Sequence, residues 1–209
     1  MWHGPRPGGL AGPDPALVGA DVSAIRGGAS AAAGPAIGIV VRHPGASSAA
    51  GLAALDRVRA LARPPEAATI AHGDPALARI GGAQGVQLRA RDLAPQDARR
   101  VLGAGWVGLS VHSVDQARAA RDAGVDYLVA GAVFETASHP GQPGKGLNWL
   151  AEVVAVGVPV YVIGGVTLDR LPALHAAGAW GVAAIGALWR ARDSAKAADQ
   201  LVRNWSEAS

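Results

Sequence analysis

Cysteine is absent from the 209 residues, which removes disulfides, thiolate metal sites and cysteine nucleophiles together. Charge is scarce as well, at 17%, but half of the chain is hydrophobic, so the composition is not that of a disordered chain. No apolar run reaches the roughly 18 residues that a membrane-spanning helix needs. The net charge is only +3. The basic residues, almost all Arg, are scattered rather than clustered, so no nucleic-acid partner is expected; the Arg-over-Lys bias, with its excess of Ala and Gly, reads as genome composition. Residues Met1 to Pro15 are rich in Gly and Pro and lack the apolar segment of a signal peptide, so they read as a flexible arm. A soluble, cytoplasmic protein with one domain over residues 16–209 is expected, long enough to bury a full core.

What the chain does contain is a regular alternation of short β-rich runs and Ala/Leu/Arg segments of helical period. The strand readings are Leu17 to Val22, Ile37 to Arg42, Ala68 to Ala71, Gly85 to Leu88, Trp106 to His112, Tyr127 to Phe134, Val158 to Ile163 and Gly181 to Ile185. Helices are expected over Ala49 to Leu61, after Pro75, and over Pro95 to Leu102, Val114 to Ala123, Leu147 to Val156, Leu168 to Ala177 and Ala195 to Trp205. In the first of these Leu52, Leu55, Val58 and Leu61 recur every third residue, and Gly124 and Gly178 stand where helices end. Eight strands alternating with helices are the rhythm of an α/β (β/α)8 TIM barrel. Ser23 to Ala36, with Arg-Gly-Gly and Pro35, is too poor for an amphipathic helix, so the first helix is eroded. A doubly wound open sheet is disfavoured because no Gly-x-Gly-x-x-Gly turn opens a helix after an early strand.

In such barrels active sites are built at the outgoing ends of the strands. The polar run Glu135-Thr-Ala-Ser-His139-Pro-Gly-Gln-Pro-Gly-Lys-Gly146 follows the sixth strand there. Ile163-Gly164-Gly165 and Ala184-Ile185-Gly186 end the seventh and eighth strands, the positions whose loops commonly form a phosphate site. Glycine lets backbone approach a ligand closely, and N–H groups at an adjacent helix start can cradle an anion. The alternative is that these glycines only turn the chain.

Four runs, Gly108-Leu-Ser-Val-His-Ser113, Gly131-Ala-Val-Phe-Glu-Thr136, Val162-Ile-Gly-Gly-Val-Thr167 and Ala177-Gly-Ala-Trp-Gly-Val-Ala-Ala-Ile-Gly186, resemble the thiamine phosphate synthase/TenI superfamily over Ile37 to Arg190. The resemblance implies a TIM barrel, usually a homo-oligomer, that handles a phosphorylated thiazole. Its synthase branch ionises a pyrimidine pyrophosphate with cations and Mg²⁺ around the leaving group. Against that pattern Arg42 matches, but the family's Lys two residues on is lost in Arg42-His43-Pro44. Its Asn-Asp after strand three falls on His72-Gly73, its second metal carboxylate on Asp92, and its Lys after strand six on His139. Val111-His-Ser and Val133-Phe-Glu-Thr are closer to the TenI branch, a thiazole tautomerase that moves a proton without metal or other cofactor. That branch carries a His where this chain has Ala132.

The reaction expected from the resemblance is therefore metal-independent proton transfer on a thiazole phosphate carboxylate. The alternatives are thiamine phosphate synthase, with Mg²⁺, and a non-catalytic thiazole phosphate binder. His112 or His139 is the candidate proton carrier, since imidazole titrates near neutrality, and Glu135 could orient a histidine or act as base. Arg42, His43, His72, Ser110, Thr136, Gly164, Gly165, Ile185 and Gly186 are the candidate substrate- and phosphate-binding residues. Each histidine has a plainer reading: His112 as a hydrogen-bonded barrel residue, His139 as a surface group. His43, His72, His112 and His139 together could suggest zinc, but carboxylate partners at paired spacing are missing, so no metal site is expected.

Overall fold

The computed structural model describes residues 16–21, 37–42, 47–61, 67–136, 141–207. The expected N-terminal arm and eroded first helix lie outside these, as do His43 and His139. The described strands are β1 (Ala16–Asp21), β2 (Ile37–Arg42), β3 (Ala67–His72), β4 (Gly85–Leu88), β5 (Trp106–Val111), β6 (Tyr127–Ala130), β7 (Val160–Ile163) and β8 (Gly181–Ala184). All pair in parallel in chain order, and β1 also pairs with β8, which closes the ring. The helices are α1 (Ser48–Leu61), α2 (Pro75–Ile80), α3 (Pro95–Leu102), α4 (Val114–Asp122), α5 (Gly146–Val154), α6 (Leu171–Ala176), α7 (Gly186–Trp189) and α8 (Ser194–Glu207). This is a TIM-like α/β fold.

Strand alternation splits the core in two. One set of positions packs outward against the helices: Val86, Leu88, Val107, Val111, Leu128, Val160, Val162 and Val182 join Leu55, Leu150, Leu171 and Leu174 in one cluster. The other set, Val40, Ile70, Trp106, Tyr127, Val129, Tyr161 and Ala183, forms a separate cluster inside the ring. Each large apolar side chain so buried contributes about 1.5–3 kcal/mol. Within the ring Tyr127 and Tyr161 meet edge to face at 5.6 Å. The Tyr127 ring lies over Gly108, where an added Cβ would fall 2.1 Å from its Cζ. A strand glycine here makes room for an aromatic plug from the next strand.

Three elements depart from the periodicity. β6 stops at Ala130 rather than Phe134 because Gly131 presses on β7, its missing Cβ standing 2.5 Å from the Ile163 carbonyl oxygen. The helix expected from Leu168 begins as a 3-10 turn, Leu168–Arg170, and becomes α-helical only at Leu171, with Pro172 in its first turn; proline is tolerated there because that N–H has no intrahelical acceptor. The four-residue α7 was not foreseen, being too short for a helical period to show.

Candidate functional site

The inward parity that places Val40 and Ile70 in the ring carries Arg42 and His72 to its outgoing end, beside Gln87, Arg89 and Ser110. Here β3 and β4 build a charged corner. Arg89 follows the last residue of β4, and its guanidinium grips Asp92: Nη2 donates to Oδ1 at 2.7 Å and Nε to Oδ2 at 2.9 Å, while the Arg89 backbone N–H donates to Oδ2 at 2.8 Å. The carboxylate is therefore satisfied within its own loop. The Asp92 side chain is 7% exposed and that of Arg89 36%, so the pair shows its positive end to the mouth. Arg89 holds Asp92 below the usual carboxylate range by hydrogen bonding and charge, against an opposing desolvation.

His72 sits half-buried against this corner. Burial, then the charges of Arg42 and Arg89, push its pKa down to about 4, with Asp92 opposing. At neutral pH it is an uncharged imidazole. Gly73 follows with φ +80°, a left-handed conformation that favours glycine, and an added Cβ would lie 2.9 Å from Arg89 Nη2 and 3.2 Å from Asp92 Oδ2.

On β5, Ser110 Oγ accepts a hydrogen bond from Gln87 Nε2 at 3.0 Å. Gln87 is buried and donates also to the Leu88 carbonyl, while its Oε1 and the Tyr127 hydroxyl have no partner among the described residues. Since the Ser110 oxygen is the acceptor in that bond, its own hydrogen is left to donate elsewhere. His112 is exposed at the rim, and its Nδ1 lies 2.7 Å from the Gly131 carbonyl. A carbonyl can only accept, so Nδ1 is the donor in this contact, and Nε2 is the nitrogen it leaves over. This is the plainer of the two sequence readings of His112, a hydrogen-bonded barrel histidine.

The β6–β7 side is built from backbone. Gly164 (φ +99°) and Gly165 (φ +65°) are crossed by the loop after β6: an added Cβ would meet Ala132 Cβ at 2.5 Å in one case, Phe134 Cβ at 2.6 Å and the Glu135 carbonyl at 2.7 Å in the other. The close approach that these glycines permit is to the protein's own loop. Arg170 fixes that contact, donating to the Gly165 carbonyl at 2.6 Å with its guanidinium 4.4 Å over the Phe134 ring. The Glu135 side chain is exposed and Thr136 half-buried. At β8, Ile185 caps α7, and an added Cβ on Gly186 would meet only Arg190 Nε, at 4.0 Å. The backbone there is open: the Leu188 and Trp189 N–H groups donate to the Ile185 carbonyl, and those of Gly186 and Ala187, at the helix start, have no intrahelical acceptor.

The structure thus brings Arg42, His72 and Ser110 to one side of the mouth, with His112 on the rim above β5. Glu135, Thr136, Gly164, Gly165, Ile185 and Gly186 lie on the other side. Sequence reasoning missed Gln87, Arg89 and Arg170. The available signal was the β4 alternation, which puts Gln87 inward and sends Arg89, two residues on, to the mouth.

The Mg²⁺ that the synthase resemblance implies does not fit this donor set. Magnesium takes octahedral oxygen ligands, usually including one or two carboxylates. Both Asp92 oxygens are engaged by Arg89, position 73 has no side chain, and among the described residues no group of three or more His, Asp or Glu is placed to hold a metal ion.

Fold and site define a parallel α/β barrel with its polar groups at the outgoing mouth, the arrangement of a barrel enzyme. The family model described as thiamine monophosphate synthase matches residues 23–188. Among curated relatives, a thiamine-phosphate synthase of Thermus thermophilus is 41% identical over 153 residues, 72% of this chain and 73% of that one. One from Marinobacter nauticus is 34% identical over 191 residues, 90% and 86% of the two chains. Among solved structures, thiamine phosphate pyrophosphorylase from Pyrococcus furiosus superposes with a TM-score of 0.82 at 28% identity, covering 94% of this chain and 96% of that one. The chain belongs to the thiamine monophosphate synthase family. The expectation of a TenI-type tautomerase, and with it of an isomerase, is overturned by these relatives, which are named synthases. That reading gave weight to the wording of Val133-Phe-Glu-Thr and counted His72-Gly73 as a loss. Separately, no helix among the described residues is long and apolar enough to cross a membrane.

Proposed function

We propose that this protein is a transferase that joins a pyrimidine pyrophosphate to a thiazole phosphate. The carbon–oxygen bond to pyrophosphate breaks, with its electron pair leaving on the pyrophosphate oxygen. The thiazole nitrogen lone pair makes the new carbon–nitrogen bond. Such a step is accelerated by fixed positive charge where the leaving group's negative charge develops.

The observation that carries this reading is the corner at β2–β4, where Arg42 and Arg89 both bear electrostatically on an uncharged His72. A site for a polyanion wants guanidinium groups, which pair their donors with phosphate oxygens. Ser110, fixed as acceptor by Gln87, offers its hydroxyl hydrogen to the same leaving group. His112 Nε2 stands at the rim, where it meets the pyrimidine. The thiazole phosphate takes the other side, at the open backbone of Ile185 and Gly186 beside Gly164, Gly165 and Thr136.

The test is product formation. Purified protein with both substrates and magnesium present should give thiamine phosphate and pyrophosphate in equal amounts. Absence of product, with the thiazole phosphate still bound in calorimetry, would overturn the reading.

A further inference from the structure

The synthase pattern places two metal carboxylates after strands three and four, and this chain departs from it at both in a correlated way. At the first, the residue is Gly73, and the space its side chain would fill is taken: an added Cβ would stand 2.9 Å from Arg89 Nη2. At the second, Asp92 is present but bound by Arg89 through two nitrogens of the guanidinium and the backbone N–H. A carboxylate at 73 and the guanidinium of Arg89 could not share that volume. One cation has taken the room between the two positions, and it is covalently attached.

We propose that Arg89, with Arg42 across His72, binds the pyrophosphate group directly in place of a divalent cation. This rests on the synthase reading and specifies how its leaving group is held. Three features make the corner suitable. Arg89 keeps Nη1 uncommitted among the described residues, and its side chain is turned to the mouth while Asp92 is buried behind it. Guanidinium presents several donors in one plane and matches phosphate oxygens in pairs. The half-buried, uncharged His72 between Arg42 and Arg89 gives the anion a neutral neighbour. Asp92 here is a positioning residue, holding the guanidinium plane through a two-point contact.

The experiment is calorimetric titration of inorganic pyrophosphate into the full-length protein, first in excess chelator and then with magnesium. The expected result is an affinity in chelator within about threefold of that in magnesium, and at least about a tenfold loss in Arg89→Gln, since a charge-assisted hydrogen bond contributes about 1.5–3 kcal/mol. Binding seen only with magnesium would overturn the inference, as would wild-type affinity in Arg89→Gln. Should that variant not fold, Gly73→Asp serves instead: a carboxylate pressed on the guanidinium should weaken pyrophosphate binding in chelator, and unchanged affinity would contradict the proposal. The two readings separate cleanly. Thiamine phosphate formation together with magnesium-only pyrophosphate binding overturns this inference and leaves the synthase intact. Chelator-stable pyrophosphate binding without product supports the inference and removes the synthase.

Discussion

Two arginine–aspartate pairs stand at opposite ends of the barrel, both with a closest contact of 2.7 Å and with arginines equally exposed, 36% for Arg89 and 35% for Arg99. At the incoming end Arg99 spends its donors on structure: Nη1 on the Gly105 carbonyl, Nη2 on the Gly124 carbonyl and on Asp126, whose oxygen also accepts the Val107 N–H. It ties together the turns that enter β5 and β6. At the outgoing end Arg89 spends its donors on Asp92 alone and rests against the empty side-chain space of Gly73. The same chemical pair is a staple where its donors are used up and a binding element where they are not. What separates the roles is the count of acceptors around each guanidinium, not the distance within the pair.

The comparison can be broken by mutation, and the largest effect is expected at the mouth. Arg89→Gln should lower kcat/KM for thiamine phosphate formation by about 10²-fold, near 2.7 kcal/mol of transition-state stabilisation, together with a fall in melting temperature from the buried Asp92 carboxylate that loses its charge partner. A melting drop with unchanged kcat/KM would make Arg89 a staple like Arg99. Arg99→Ala should lower stability alone. Losing bonds to two carbonyls and a carboxylate costs about 2 kcal/mol, which for a chain of this size is a fall in Tm of about 4–8 °C, with kcat/KM at low temperature preserved.

The next effect concerns pH. His72 has a folded pKa of about 4 against an ordinary 6.5, so between those values the unfolded chain binds the proton and the folded one does not. Stability contributed by the neutral imidazole is complete above about pH 6.5 and is lost as pH falls toward 4. Thermal melts from pH 7 to pH 4.5 should show this decline, and His72→Asn should flatten it; an unchanged slope would mean that His72 is not held neutral. Smallest of all, Arg118→Ala removes an exposed i,i+3 pair with Asp115 and should cost under about 0.5 kcal/mol, the baseline against which Arg89 and Arg99 are judged.

Much of the scaffold was legible because it follows from short-range rules. Trp106-Val-Gly-Leu-Ser-Val alternates as a strand with one face inside the ring and one against helices, and Gly124 and Gly178 take the positive φ that ends a helix. The mouth was legible only in part. Arg42, His72 and Ser110 could be assigned to it from strand parity, but the meaning of Gly73 could not: as a letter it reads as a lost carboxylate, and only in space is it the place where Arg89 lies. Likewise the letters Gly164-Gly165 do not tell that the loop after β6 crosses both residues. β6 ended early for a related reason, a backbone contact between Gly131 and Ile163 that no pattern along one strand encodes. Periodicity reports which face a residue occupies; it does not report which distant side chain fills the space left by a missing one.

The most direct measurement is the rate of thiamine phosphate formation by the wild-type protein in excess chelator, set beside the rate with magnesium. A fixed guanidinium in the place of the metal predicts product in chelator at a rate within about threefold of that with magnesium, because the charge that stabilises the leaving group is carried by Arg89 and Arg42. Product formed only after magnesium is added would contradict the account.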